Sequence, residues 1–132
     1  MSESQLRRNV IKILKGRHAK PIENALAAGT PDVNYAEGWI ELKKLAKWPK
    51  NANTPVRIRH FTENQRLWLT DRWEVGGASW LLIQIDKTFL LYNGSDVNQI
   101  GSLTRAEMLE LAAQRWEGLR ELKEGLSQCL ER

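Results

Sequence analysis

The spacing of hydrophobic residues predicts a helix at the start of the chain. The apolar positions follow the i, i+4, i+7, i+8 pattern of a helix with one buried stripe: Leu6, Val10, Ile13 and Leu14. Ser2, with Gln5 three residues later, has the pattern of a capping box, and Gly16 is a suitable end. Glu3 then lies in the first turn, where a carboxylate is stabilised by the helix dipole.

Two further helices are expected. Thr62 and Gln65 form a second capping-box pair, so a helix should run from there to about Val75 and end at Gly76-Gly77. Its apolar side consists of Trp68, Leu69 and Trp73. A long third helix is expected from Thr104 almost to the C-terminus, with Gly118 and Gly125 weakening it. Its predicted stripe is Met108, Leu111, Ala112, Arg115, Trp116, Leu119, Leu122 and Leu126.

Strands are predicted between these helices. Residues 79–85 are almost continuously apolar, which is typical of a strand buried on both faces. Asp86-Lys87 should form a turn, residues 88–92 a further strand, and Asn93-Gly94 the next turn. Helix, strands, helix, strands, helix is the order of an α/β protein whose sheet is covered by helices.

Residues 29–43 predict a hairpin that carries the candidate chemistry. Because side chains alternate along a strand, Glu41 and Lys43 share one face. If Glu37-Gly38 form the loop, Asp32 lies opposite Lys43, and if Ala36-Glu37 form it, Asp32 lies opposite Glu41. Either loop places Asp32 on the same face, whereas a three-residue loop would not. Two carboxylates this close repel each other, so a metal ion or Lys43 must offset the charge.

The segment before the hairpin offers a further carboxylate. Pro21 disfavours helix, and residues 22–23 suit a short edge strand. Glu23 is either a third metal ligand or a solvated surface charge. Glu3 is the other candidate for an additional acidic ligand. His18 fits a surface or packing residue better than a ligand.

Residues 44–60 form a basic stretch without carboxylates, which we expect to be a long loop beside the hairpin. Its cationic and aromatic members suit phosphate contacts together with one stacking ring: Lys44, Lys47, Trp48, Lys50, Arg57, Arg59 and His60. The alternative is a solvated loop whose Trp48 packs back on the domain. We favour the nucleic-acid interpretation.

Composition narrows the function classes. The 132 residues fit one domain, and a net charge of +4 with a pI near 9.4 permits a polyanionic partner. Cys129 alone excludes an internal disulfide framework, and with two histidines it excludes a four-ligand zinc site. No apolar run could span a membrane and no signal peptide is expected, so we expect a cytoplasmic protein. Six tryptophans suggest that some are exposed for contact.

The ordered motifs Gly29-Thr30-Pro31-Asp32, Trp39-Ile40-Glu41-Leu42-Lys43 and Thr62-Glu63-Asn64-Gln65 resemble the PD-(D/E)xK nuclease superfamily. Within it the chain is most similar to VRR-NUC and phage Holliday junction resolvase-like nucleases. The resemblance covers residues 1–92. It implies a restriction-endonuclease-like core, a central mixed sheet flanked by helices, and a C-terminal helical extension over about 103–132.

The resemblance also implies roles for individual residues. Asp32 and Glu41 would hold Mg²⁺ or Mn²⁺ together with the Leu42 carbonyl, and Lys43 would be the catalytic lysine. Gln65 matches a glutamine that often follows the catalytic strand. Glu3 matches the acidic residue of the opening helix, and Glu23 competes with it for that role.

The implied function is metal-dependent, structure-selective endonuclease activity on branched DNA in a bacterial or phage-infected cell. A junction-resolving enzyme would be a homodimer with two sites, whereas a flap or nicking enzyme could act as a monomer. A non-catalytic nucleic-acid-binding module that uses the basic loop 44–60 is the alternative. A third hypothesis is a protein-interaction domain with a tryptophan-rich surface.

Overall fold

The computed structural model describes residues 2–23 and 27–132 and contains one six-stranded mixed sheet. The N-terminal half provides α1 (Glu3–Ile13), β1 (Lys20–Pro21), β2 (Val33–Asn34), β3 (Gly38–Leu45) and α2 (Glu63–Glu74). The C-terminal half provides β4 (Ala78–Ile85), β5 (Thr88–Asn93), α3 (Arg105–Leu111), β6 (Gln114–Glu117) and α4 (Gly118–Gly125). Among the described residues, no helix has the length and apolar character needed to cross a membrane.

The predicted α/β class with a helix-covered mixed sheet is confirmed. The strands follow the order β1 to β6 across the sheet, and β3 and β4 form its parallel pair, connected through α2. The hairpin strand β3 therefore lies inside the sheet, as expected. The edge strand is β1 at Lys20–Pro21 rather than at 22–23. α1 ends at Ile13, before Gly16, and a 3₁₀ turn follows it.

The sheet separates two hydrophobic cores. Ile40, Leu42 and Leu82 face one core, which also contains Leu6 and Val10 of α1. The other core contains Leu69 of α2 and Met108 of α3. The β4 side chains that face this core alternate with those that face the first: Leu81, Ile83 and Ile85. Because side chains alternate along a strand, α1 and α2 must cover opposite faces of the sheet.

The prediction of one long C-terminal helix is wrong. The chain leaves α3 at Ala112, pairs along β5 as strand β6, and then enters the separate helix α4. Gly118 has φ +79°, a left-handed conformation that interrupts any continuous right-handed helix. β5 would otherwise present an unpaired edge, and the Ala113 N–H donates to Leu91 O at 2.7 Å.

The C-terminal residues are also not an extension added to a complete core. Leu122, Leu126 and Leu130 are fully buried in the same core as α1. The Tyr35 hydroxyl of the hairpin donates to Leu130 O at 2.6 Å and accepts from Trp80 Nε1 at 2.8 Å. Residues 103–132 therefore complete the domain, because both β5 and the first core need them.

The tryptophans do not form an exposed contact surface, contrary to expectation. Trp80 and Trp116 are buried, and the other four tryptophans are partly buried. Trp39 and Trp68 meet edge to face with ring centroids 5.1 Å apart, and Trp73 meets Trp80 in the same way at 5.3 Å. Their main role is packing, which removes the main support for a tryptophan-rich interaction surface.

Gly38 is required by close packing rather than by a positive φ. A Cβ at this position would lie 2.3 Å from the carbonyl oxygen of Ala78, on the neighbouring strand β4. We expect Gly38→Ala to push β3 away from β4 and to lower the free energy of unfolding by about 1–3 kcal/mol. Urea unfolding should show this loss. Gly16→Ala is the control, because nothing lies within 4 Å of its Cβ position, and an equal loss there would contradict the explanation.

Candidate active site

The hairpin register decides between the two expected arrangements of Asp32. Val33 pairs with Ile40 and Asn34 with Trp39, while Tyr35 and Gly38 exchange backbone hydrogen bonds of 2.9 and 3.3 Å. The loop is therefore Ala36-Glu37. Extending the same register by one residue places Asp32 opposite Glu41, on the face that Glu41 shares with Lys43.

β2 begins at Val33, so Asp32 lies beside β3 as the residue directly before the strand. The Asp32 Oδ2 atom accepts a hydrogen bond from the Leu42 N–H at 2.8 Å, replacing the backbone partner that a longer β2 would supply. In an antiparallel ladder the N–H and C=O of one residue point to the same neighbouring strand. The Leu42 carbonyl therefore faces the same gap as Asp32.

Glu41 is almost completely buried, with 1% of its surface exposed. Its Oε2 lies 3.4 Å from Lys43 Nζ, while its Oε1, as a carboxylate oxygen, accepts no hydrogen bond from a described residue; only the protonated carboxyl group can share a hydrogen bond with Asp32. Burial, followed by the neighbouring Asp32 charge, raises the pKa of Glu41 to about 9, although Lys43 acts in the opposite direction. A buried carboxylate with a free oxygen and a second acidic neighbour lacks sufficient positive charge around it.

Lys43 is held in place from two sides. Besides the 3.4 Å contact with Glu41, its Nζ donates a hydrogen bond to the His60 carbonyl oxygen at 2.9 Å. His60 adopts φ +60° at the end of the basic loop, so the loop backbone turns its carbonyl toward the lysine. Only 4% of Lys43 is exposed, and its position is therefore fixed before any substrate binds.

A cavity of about 150 Å³ opens beside Asp32. Its walls are formed by Glu3, Ser4, Arg7, Asp32 and Leu42. Glu41 does not border the cavity, so Asp32 is the member of the Asp32–Glu41 pair that faces it. Glu23 is exposed and lines a different cavity, between α1 and β1. The structure therefore brings Glu3, and not Glu23, to the cavity beside Asp32.

Arg7 is a site residue that the sequence patterns did not single out. It borders the cavity beside Asp32, and no described carboxylate forms an ion pair with it. The available signal was its spacing, because Glu3 and Arg7 are four residues apart and therefore share one helix face. A guanidinium at this position is suited to hold a phosphate group.

The donor set fits a hard divalent cation with few protein ligands. No group of three or more His, Cys, Asp or Glu side chains in the described residues is arranged to hold a metal ion. Mg²⁺ does not require such a group, because it keeps several waters and is often bound by one or two carboxylates. The unpaired Oε1 of Glu41 and the raised pKa of this carboxyl group are the features that a cation would relieve.

Gln65 has a structural role in the described structure. Its Oε1 accepts from the Thr62 N–H at 3.0 Å, and its own N–H donates to Thr62 Oγ1 at 3.2 Å, so both halves of the capping box form. The catalytic role implied by the resemblance stays a prediction.

The two roles of Gln65 can be separated by substitution. We expect Gln65→Ala to lower the free energy of unfolding by about 0.5–1 kcal/mol, and Gln65→Glu to retain stability because its carboxylate accepts the same bond. Thermal unfolding and cleavage rates should be measured on the same preparations. A Glu variant as unstable as the Ala variant would contradict the capping role, and a stable Glu variant without cleavage would assign a role to the amide.

The basic loop presents its charges to solvent. Its exposed members are Lys47, Lys50, Arg57, Arg59 and His60. Lys44 belongs to β3 and is half-buried, while Val56 is buried and anchors the loop through an N–H bond to Leu103 O at 2.7 Å. Trp48 is partly buried in the second core with Arg105 4.7 Å from its ring centre, so it packs back on the domain.

Comparison with known proteins leaves the family open. No protein-family model and no curated protein sequence matches this chain. The resemblance to PD-(D/E)xK nucleases therefore rests on the motif residues and on the arrangement described above.

Proposed function

We propose that this protein is a metal-dependent DNA endonuclease that hydrolyses phosphodiester bonds at the Asp32–Glu41 site. The observation that carries the proposal is the buried Glu41, with one oxygen unpaired, next to Asp32 and Lys43. Burying a carboxylate in this way is costly for a purely structural purpose. A binding surface for phosphates would also gain nothing from two carboxylates at its centre. A site that must hold a cation against a phosphate explains both features.

In this proposal each residue of the site has a separate role in metal binding or catalysis. Asp32, Glu41 and the Leu42 carbonyl would hold Mg²⁺ or Mn²⁺, with Glu3 available from the wall of the same cavity. When bound, such an ion supplies Lewis acidity and a more acidic bound water. Lys43, fixed by Glu41 and by the His60 carbonyl, would orient the attacking water and offset charge on the phosphate. Arg7 would hold a non-bridging phosphate oxygen.

The preferred substrate in this proposal is branched DNA, which the resemblance implies. Resolution of a four-way junction requires two active sites, and a symmetric homodimer would supply them. Cleavage of a flap requires one site, and a monomer suffices.

A nucleic-acid-binding module without catalysis is the second candidate. The observation that favours it is the exposed set of cations on the basic loop, which could bind phosphates whether or not the carboxylates act. In this case Asp32, Glu41 and Lys43 form only a buried charge cluster.

Cleavage of end-labelled DNA distinguishes the two candidates. A four-way junction, a flap and a plain duplex would each be incubated with Mg²⁺, Mn²⁺ or EDTA, using wild type and Asp32→Asn. We expect metal-dependent cleavage that Asp32→Asn reduces at least about 100-fold while DNA binding is retained. Asp71→Asn, an exposed aspartate on α2, is the matched control. Binding without cleavage under any metal would leave the binding module as the function.

A further inference from the structure

A concave surface continues from the candidate active site along α1. The cavity beside Asp32 shares Arg7 with a second cavity, of about 400 Å³, between α1 and β1. The second cavity shares Ile11 and Lys12 with a third, which reaches the 3₁₀ turn and β1. The cavities thus form a groove, here called the α1 groove, over these cationic residues: Arg7, Arg8, Lys12, Lys15 and Lys20.

The α1 groove has an excess of positive charge that the described protein does not neutralise. Its five Lys and Arg side chains face three carboxylates, those of Glu3, Glu23 and Asp32. The cations that form ion pairs within the described residues are Arg17, Lys43 and Arg120, and none of them lines the groove. A concave surface of one sign concentrates ligands of the opposite sign, so a polyanion is the ligand that this groove fits.

The lining of the groove favours double-stranded nucleic acid over single strands. Its described residues include no Trp, Tyr or Phe, and the aromatic ring that they offer to an unpaired base is the imidazole of His18. Lys15, in the 3₁₀ turn after α1, lies eight positions beyond Arg7, which is about 12 Å along the helix axis. At a rise of about 3.4 Å per base pair, this length corresponds to three to four base pairs of duplex.

The α1 groove and the basic loop lie on opposite faces of the sheet. α1 packs on the first core, whereas Val56 and Ile58 of the basic loop pack on the second. The gap beside Leu42, where Asp32 precedes β2, borders the cavity that also contains Glu3 and Arg7 of α1. One straight duplex cannot follow both faces of a sheet, but two arms that diverge from a branch point can.

We propose that the α1 groove binds the backbone of one double-stranded arm of the DNA and leads it to Asp32. The inference rests on the proposed function for its substrate class, but it concerns binding alone and can be tested without cleavage. The loop 44–60 would then contact a different arm.

The test compares two triple variants with the same change in charge. Arg8→Gln, Lys12→Gln and Lys15→Gln remove three exposed cations from the groove, and Arg7, which borders the active site, is left intact. Lys87→Gln, Arg115→Gln and Arg120→Gln remove three exposed cations near the opposite edge of the sheet. Binding of a fluorescent 20-base-pair duplex, a four-way junction and a single strand would be measured in EDTA across a series of salt concentrations.

We expect the groove variant to reduce the slope of log K against log salt by about 2–3 for the duplex, because each lost phosphate contact contributes about 0.9. The control triple variant should retain the wild-type slope. Equal slopes for the two variants, or a stronger preference of wild type for the single strand, would overturn the assignment. So would binding to anionic phospholipid vesicles through these residues without binding to duplex.

The result is separable from the proposed function. If the groove variant loses duplex binding but wild type cleaves nothing, the groove inference stands and the nuclease proposal fails. If wild type cleaves DNA and the groove variant binds duplex as the control does, the nuclease proposal stands and the groove inference fails. Circular dichroism and thermal unfolding of both triple variants confirm that each is folded.

Discussion

Replacement of Glu41 by Gln is expected to stabilise the metal-free protein and to abolish its cleavage activity. The carboxyl group is buried and its pKa is raised to about 9, from 4.5 in the unfolded chain. At pH 7 the folded protein must therefore take up a proton or bury a charge, at a cost of about 3 kcal/mol. The glutamine amide has the same shape, can donate to Asp32 and accept from Lys43, and carries no charge.

The pH dependence gives the sign of this effect. Because the folded pKa of Glu41 lies above the unfolded value, folding is favoured most below pH 4.5, and this contribution is lost as pH rises toward about 9. The free energy of unfolding of wild type should therefore fall between pH 5 and pH 9 relative to that of Glu41→Gln. At pH 7 we expect the variant to be more stable by about 2 kcal/mol, which is about 5–10 °C in Tm.

Urea unfolding in EDTA, at pH 5, 7 and 9, measures this difference. Glu110→Gln, an exposed glutamate on α3, is the control and should match wild type at each pH. A Glu41→Gln variant that is less stable than wild type at pH 7 would show that the carboxylate stabilises the metal-free fold. The same variant should cleave DNA at least about 100-fold more slowly, since a neutral amide is a poor ligand for a hard cation.

Replacement of Lys43 by Met should impair both catalysis and folding. The lysine is the cation beside Glu41 Oε2 and the hydrogen-bond donor to the His60 carbonyl. Its loss therefore leaves the Glu41 carboxyl group and the His60 carbonyl without this partner. We expect the free energy of unfolding to fall by about 1–3 kcal/mol and cleavage to fall by about 100-fold or more. The methionine side chain retains most of the packing volume.

A double-mutant cycle separates the charge pair from the packing. At pH 9, where a substantial fraction of Glu41 is ionised, Lys43→Met should be less destabilising in the Glu41→Gln background, by about 1 kcal/mol or more. Equal losses in the two backgrounds would show that the 3.4 Å contact contributes nothing to stability. Lys47→Met, on the exposed part of the loop, is the control for the loss of one positive charge.

The arrangement of the hairpin could be predicted largely because strand alternation is a strict rule. Glu41 and Lys43 are two residues apart in β3, so their common face follows from the sequence. The position of Asp32 was open between two registers, since both loops have two residues. Because glycine is common in tight turns, Gly38 favoured the Glu37-Gly38 loop, which is not the one observed. A glycine is needed at this position because β3 approaches Ala78 of β4 closely, and local turn preferences do not contain this long-range feature.

The C-terminal region could not be predicted from periodicity. Met108 and Leu111 fit one stripe with Leu119 and Leu122, but the two pairs belong to different helices with β6 between them. The need for a strand there arises from the free edge of β5, which a local pattern does not reveal. Gly118 and Gly125 were the local signals, and they are the first and last residues of α4, with Gly118 in a left-handed conformation.

Direct measurement of cation binding tests the central claim most directly. Mn²⁺ would be titrated into wild type, Asp32→Asn and Glu41→Gln at pH 8, with the free ion followed by electron paramagnetic resonance. We expect wild type to bind Mn²⁺ and both variants to bind it at least about 10-fold more weakly, since each loses a charged ligand. Wild-type affinity in both variants, or no binding by wild type even with duplex DNA present, would contradict a metal site at Asp32 and Glu41.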